Sequence, residues 1–206
     1  MKDAFDKIIA GYQKFRSKYA ESNSTLMPSL GKEGQQPKIM VIACSDSRVD
    51  PAILLQCDPG DLFVVRNIAN IVPPYEKDTG HHGTSAALEF AVRHLEIKHL
   101  IILGHSSCSG FGARIKQIDL KENDFISNWV SQIKIHPDSD LDDWDKSAKE
   151  SLIFSYENCL SFPWIKERVD NKTLEIHLCF LDIAKAEVDQ YDFESKTYLP
   201  LSTKTL

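Results

Sequence analysis

Apolar residues in the first twenty positions recur at steps of three and four: Phe5, Ile8, Ile9, Tyr12, Phe15 and Tyr19 sit among lysines and acids. That period predicts an amphipathic helix with one apolar stripe. The stretch from Glu21 to Gln36, with Pro28, Gly31 and Gly34, carries neither period and reads as a tether. The stripe therefore either packs back on its own domain or docks on a second subunit. From Lys38 the pattern changes to short uninterrupted apolar runs, Ile39 to Ala43, Leu62 to Val65 after Pro59-Gly60, and Leu100 to Leu103. Runs of this kind predict buried strands. Between the second and third, Ala87, Leu88, Ala91, Val92 and Leu95 restore the helical period over Thr84 to Leu95. Further on come a helix near Phe125 to Ile133, an acidic loop from Asp138 to Asp145, a helix from about Ala148 to Arg168 and a strand from Thr173 to Leu181. Strand, helix, strand at this spacing predicts an α/β fold with a parallel sheet, right-handed crossovers and helices on both faces. We read residues 1–206 as one domain, with 1–36 as helix and tether and 37–206 as the α/β core.

Composition narrows the function classes. Twenty-four Lys and Arg against 30 Asp and Glu leave a net charge of −6, which disfavours a nucleic-acid partner because polyanion binding needs a basic footprint. No apolar run approaches the roughly 20 residues of a membrane-spanning helix. Five cysteines, an odd number, sit behind an N-terminus whose Lys2, Asp3, Asp6 and Lys7 resemble neither a secretory nor a transit signal. A reducing, cytoplasmic setting is the expectation.

In open α/β sheets ligands bind beyond the carboxyl ends of the strands, and here those ends carry chemistry. The first ends in Cys44, Asp46 and Arg48, the second in Arg66 and Asn67, and the third in His105 and Cys108. Cys44 on a strand beside the one that ends in His105-Ser-Ser-Cys108 allows two thiolates and one imidazole to converge. This donor set suits Zn²⁺ and leaves a fourth tetrahedral position open, as catalytic zinc sites do. A structural site would need a fourth ligand, for which Cys57, Cys159 and Cys179 are available. Asp46 and Arg48, two apart, fall on one face of an extended segment and can form a bidentate pair that keeps the carboxylate ionised and aimed. Other centres fail on spacing. Cys44 and Arg48 have three residues between them where a phosphatase cradle needs five, Gly110-Phe-Gly112 is followed by Ile115 where a dinucleotide fingerprint needs a small residue, and no Cys-x-x-Cys occurs. His81-His82-Gly83 reads as a polar turn, with a proton relay as the alternative; His94, His99, His136 and His177 have no ligand-like company in the sequence.

Taken in order, Cys44-Ser-Asp-Ser-Arg48-Val, Phe63-Val-Val-Arg66-Asn-Ile-Ala-Asn70 and Gly104-His105-Ser-Ser-Cys108 resemble the β-class carbonic anhydrases, with Val72-Pro73-Pro74-Tyr75 closest to the plant-like branch. The resemblance runs from about Gln35 to Leu174. It implies four parallel strands plus an edge strand, an N-terminal helix packed on a partner subunit, and a homodimer or dimer of dimers with its pocket across the interface. It implies zinc on Cys44, His105 and Cys108, Asp46 with Arg48 as catalytic dyad, and reversible hydration of carbon dioxide to bicarbonate through zinc-bound hydroxide. Gln35 would hydrogen-bond the substrate and Phe63 would wall the pocket. Three positions depart from the family: Ser109 where a glycine usually lies near the substrate, Phe90 where plant-like members have Tyr, and Leu178 to Leu181 in place of a glycine- and aromatic-rich run. A non-glycine at 109 would be strained if that residue needed positive φ. Hydrolysis of another cumulated substrate, such as carbon disulfide, and a noncatalytic zinc or bicarbonate-responsive module are the rival readings.

Overall fold

Four of the apolar runs form the parallel part of one six-stranded sheet. The computed structural model describes residues 4–21, 24–78, 80–115, 125–134 and 143–201. The strands are β1 (Ile39–Cys44), β2 (Leu62–Asn67), β3 (His99–His105), β4 (Glu175–Asp182), β5 (Glu187–Asp192) and β6 (Thr197–Pro200). The first four pair in parallel, β1 lying between β2 and β3. β5 and β6 add to β4 as antiparallel hairpin strands. The edge beyond β4 thus carries two strands where one was expected. Both hairpin turns are built without glycine: Asp182 and Asp192 accept from the backbone N–H of Lys185 and Ser195, and Ala186 and Lys196 take the left-handed conformation.

The helices are α1 (Ala4–Tyr19), α2 (Leu26–Glu33), α3 (Pro51–Leu54), α4 (Gly83–Glu89), α5 (Ser109–Ile115), α6 (Ile126–Val130), α7 (Trp144–Ser161) and α8 (Pro163–Asp170). Two expectations change. The tether contains α2, with Pro28 in the first turn, where its missing N–H costs no intrahelical bond. The long helix near the C-terminus is two, because Phe162 before Pro163 is held extended (φ −79°, ψ 115°) and Pro163 opens α8. The expected acidic loop lies for the most part, at 138–142, outside the described residues.

The core is the β-sheet interior with the helices that cover it: Met40, Ile42, Leu100, Ile102 and Leu178 are fully buried. α7 packs on β3 and β4 through Leu152. A side-chain carbon added at Gly104 would come within 3.2 Å of Leu152, so the glycine sets the helix-to-sheet distance. α1 has no buried residue. Its last turn is pinned where the Lys18 ammonium and the Tyr19 hydroxyl both donate to Asp58 before β2 (3.1 and 2.6 Å). Its stripe, with Phe5, Ile8 and Tyr12 each about 60% or more exposed, stays uncovered within one chain. Among the described residues no helix is long and apolar enough to cross a membrane.

Truncating the keystone of the α7 contact tests this packing. Leu152→Ala should lower unfolding free energy by about 2–5 kcal/mol in urea titrations, the range for a buried Leu whose cavity cannot fully collapse.

Candidate zinc site

Parallel pairing of β1 and β3 sets Ala43 opposite Leu103, so Cys44 and His105 leave the sheet at the same end. The turn after β3 then doubles back: Ser107 takes φ 54°, and Cys108 precedes α5. Cys44 and Cys108 Sγ lie 3.9 Å apart, and with His105 their donor atoms all fall within 4.8 Å of one another. All three residues are buried. His105 Nδ1–H donates to its neighbour's carbonyl, Ser106 O, at 2.9 Å, which assigns the proton to Nδ1. Nε2 is left buried with no hydrogen-bond partner and its lone pair toward the two sulfurs. A buried polar nitrogen without a partner is costly unless something coordinates it, and an S₂N set with one remaining position fits zinc.

The thiols reinforce that reading. The Cys108 thiol hydrogen-bonds Cys44 and, with His105 and the N–H groups of Asp46 and Ala69, draws the Cys44 pKa well down against the opposing effect of burial. Cys108 moves the other way, since donating to Cys44, burial and the Cys44 charge all hold its proton on. Two thiolates this close need a cation before both can ionise. Burial lowers the His105 pKa, but the Cys44 thiolate, the Ser106 carbonyl and the Asp46 charge outweigh it and the net shift is upward.

Asp46 lies beside this cluster in the turn after β1. Its Oδ1 accepts from the Arg48 backbone N–H and Nε, both at 2.9 Å, and its Oδ2 from Arg48 Nη2 at 2.7 Å. This bidentate clamp holds the Asp46 carboxyl well below the usual carboxylate range. Arg48 also donates to Ser107 O (3.3 Å), tying the two ligand-bearing turns together. Sequence reasoning noted Arg66 without giving it a task. From β2 it donates to Cys44 O (2.9 Å), Asp46 O (2.6 Å) and the Asp50 carboxylate (2.9 Å), bracing the whole Cys44–Asp50 turn. Asp145, at the start of α7, accepts the Ser107 N–H at 2.7 Å and holds the second turn; nothing local in the sequence signals this contact.

Gly110 and Gly112 serve packing. A Cβ at Gly110 would sit 2.9 Å from Ile68 and Ala69 carbons, and one at Gly112 would sit 2.8 Å from the Trp144 ring. Ser109, exposed at the first residue of α5, is not among the positive-φ residues, so the strain anticipated there falls instead on Ser107. Phe63 and Phe90 stack against each other on the outer β2 edge (ring centroids 5.8 Å apart), with Phe63 four residues before the Asn67 that pairs with Cys44. Gln35 is exposed between α2 and β1, at the opposite end of β1 from Cys44. A single chain thus gathers Cys44, His105, Cys108, Asp46 and Arg48, and holds Gln35, Phe63 and Phe90 apart from them. Of the spare cysteines, Cys57, Cys159 and Cys179 join no metal-type cluster among the described residues. His82 donates to Asp78 in a polar turn.

A family model described as Carbonic anhydrase matches residues 39–188. Beta carbonic anhydrase 3 of Arabidopsis thaliana is 37% identical over 207 residues, 95% of this chain and 80% of that protein. The chain is a β-class carbonic anhydrase. Its fold agrees: the solved β-carbonic anhydrase CcaA superposes with TM-score 0.87 at 32% identity, covering 95% of this chain and 98% of that one. A structure from work on two tetrameric β-carbonic anhydrases of Sordaria macrospora gives TM-score 0.78 at 28% identity, covering 92% and 97%. For a carbonic anhydrase, the Cys44–His105–Cys108 cluster is the zinc site candidate.

Because the zinc-free cysteine pair retains a proton, metal loading must expel it. Zinc binding should release at least one proton per chain. Affinity should then weaken about tenfold or more for each unit fall in pH over the range where that proton is held. Calorimetry in buffers of different ionisation enthalpy counts the protons, and a count of zero would refute the shared-proton description.

Proposed function

We propose that this chain hydrates carbon dioxide reversibly to bicarbonate and a proton, with zinc held by Cys44, His105 and Cys108 and with Asp46 and Arg48 as its dyad. The observation that carries the reading is the clamped, ionised Asp46 carboxylate beside three donors whose imidazole nitrogen has no other partner. Zinc bound there supplies an acidified water, ionised near neutral pH. Asp46 then has one task. Both its oxygens are fixed by Arg48, so it stays charged and accepts the hydrogen bond that turns a reacting oxygen's lone pair toward carbon. Arg48 keeps Asp46 from taking the proton for itself.

Carbon dioxide is uncharged and weakly hydrogen-bonding, so shape and an apolar wall place it. Phe63, Phe90 and one amide donor from Gln35 suit that role, with the Ser109 N–H at the start of α5 near the substrate oxygen. Because Gln35, Phe63 and Phe90 stand away from the zinc ligands of their own chain, we assign them to the site of a partner chain in a homodimer. The exposed stripe of α1 and the exposed Val64, Ile68 and Phe90 at the β2 edge supply the apolar surface that such a partner would cover.

Stopped-flow hydration on protein of known zinc content tests the chemistry. Asp46→Ala should retain zinc at this site and the fold, and lose about 10²-fold or more in turnover. Full zinc loading with no hydration at any pH in the native protein would overturn the proposal. The assembly has its own test: Ile8→Glu, which removes nothing buried within one chain, should shift the protein toward monomer in sedimentation velocity and lower activity with it.

A further inference from the structure

A second cluster of metal-type side chains lies at the other end of the same strands. β3 and β4 pair with His99 opposite Glu175 and Ile101 opposite His177. Alternate residues of a strand share a face, which puts His99, Glu175 and His177 on one side of the sheet. His99 Nδ1 is 3.1 Å from His177 Nε2, and Glu175 Oε2 is 3.6 Å from the first and 3.7 Å from the second. Imidazole and carboxylate ligands at about 2.0–2.2 Å from a tetrahedral zinc stand roughly 3.3–3.5 Å from each other. A point about 2.0 Å from all three atoms exists within this triangle, at the bond length of such ligands. The sites are separate: His99 and His105 stand at the two ends of β3, six residue steps apart, about 20 Å of extended chain.

We propose that His99, His177 and Glu175 form a second divalent transition-metal site, which binds zinc in addition to the ion at Cys44, His105 and Cys108. Two imidazoles and one carboxylate are a borderline donor set, matched to zinc and its neighbours rather than to calcium or magnesium. A fourth residue supports the first three. Gln190 on β5, opposite Cys179, brings its carboxamide nitrogen to 3.0 Å from His177 Nδ1. In the metal-free arrangement this amide donates to Nδ1, and Nε2–H of His177 donates to His99 Nδ1. Metal binding moves the His177 proton to Nδ1 and turns the Gln190 carboxamide half over so that its oxygen accepts it. That orienting bond from the non-ligating nitrogen is a regular companion of metal-bound histidine. The side chains of His99 and His177 are 42% and 25% exposed, and that of Glu175 68%, so the cluster is open to an ion from solvent.

The test titrates zinc chloride into the native, assembled protein already holding one zinc per chain, with bound metal counted by equilibrium dialysis and mass spectrometry. The wild-type protein should take up a second equivalent. Glu175→Gln and His177→Gln should each weaken that step by about tenfold or more while keeping the first zinc and a native circular dichroism spectrum. The exposed Glu175 has little folding role, so its variant remains informative if the histidine variant is unstable. No second equivalent in the wild type, or a second equivalent unweakened in the variants, would overturn the proposal and leave a histidine–histidine hydrogen bond beside a carboxylate.

Discussion

Parallel pairing of β1 with β3 is the constraint on which the site depends. Pairing Ile39 with His99 through Ala43 with Leu103 delivers Cys44 and His105 to the same end of the sheet. A slip of one residue would turn one of the two side chains to the opposite face. The register is held by burial: Met40, Val41, Ile42, Leu100 and Ile102 have no exposure, so shifting either strand would expose a run of them. Chemistry at the strand ends therefore inherits its precision from apolar packing several residues away.

The turns beyond the strands have little such packing beyond Val49, and ionic and backbone contacts supply most of the rest. Arg66 ties the Cys44–Asp50 turn to β2, Asp145 anchors Ser107, and Arg48 links the two turns. Ser107 can remain left-handed because contacts on both of its sides hold it: its N–H is bound by Asp145 and its carbonyl by Arg48. The result is two thiols at 3.9 Å, close enough to be one titrating unit, and an imidazole nitrogen without a partner. The orphaned nitrogen is unfavourable without a cation, and only a cation lets both thiols ionise.

How far the sequence discloses this depends on the range of the signal. The central strands are legible because a buried parallel strand is an unbroken apolar run, and the ligands because they directly follow those runs. α2 is hidden by Pro28 and Gly31, which signal a turn but here occupy a short helix whose Leu30 packs against Gly60. The β5–β6 hairpin is hidden because its turns use Asp caps and left-handed Ala186 and Lys196 in place of glycine. The break at Pro163 was readable, since the residue before a proline avoids the helical region. Asp145 on Ser107 and His99 beside His177 join residues 38 and 78 apart in sequence. No periodicity or motif encodes either pairing; only the sheet register and the return of α7 produce them.

In the proposed enzyme two cysteines and one histidine, Cys44, Cys108 and His105, hold the zinc. X-ray absorption spectroscopy at the zinc edge, on protein carrying one zinc per chain, measures that shell directly. Two sulfur scatterers at about 2.3 Å are expected, with nitrogen or oxygen near 2.0–2.1 Å completing four-fold coordination. A shell of four sulfurs, or one with no sulfur, would contradict this ligand set.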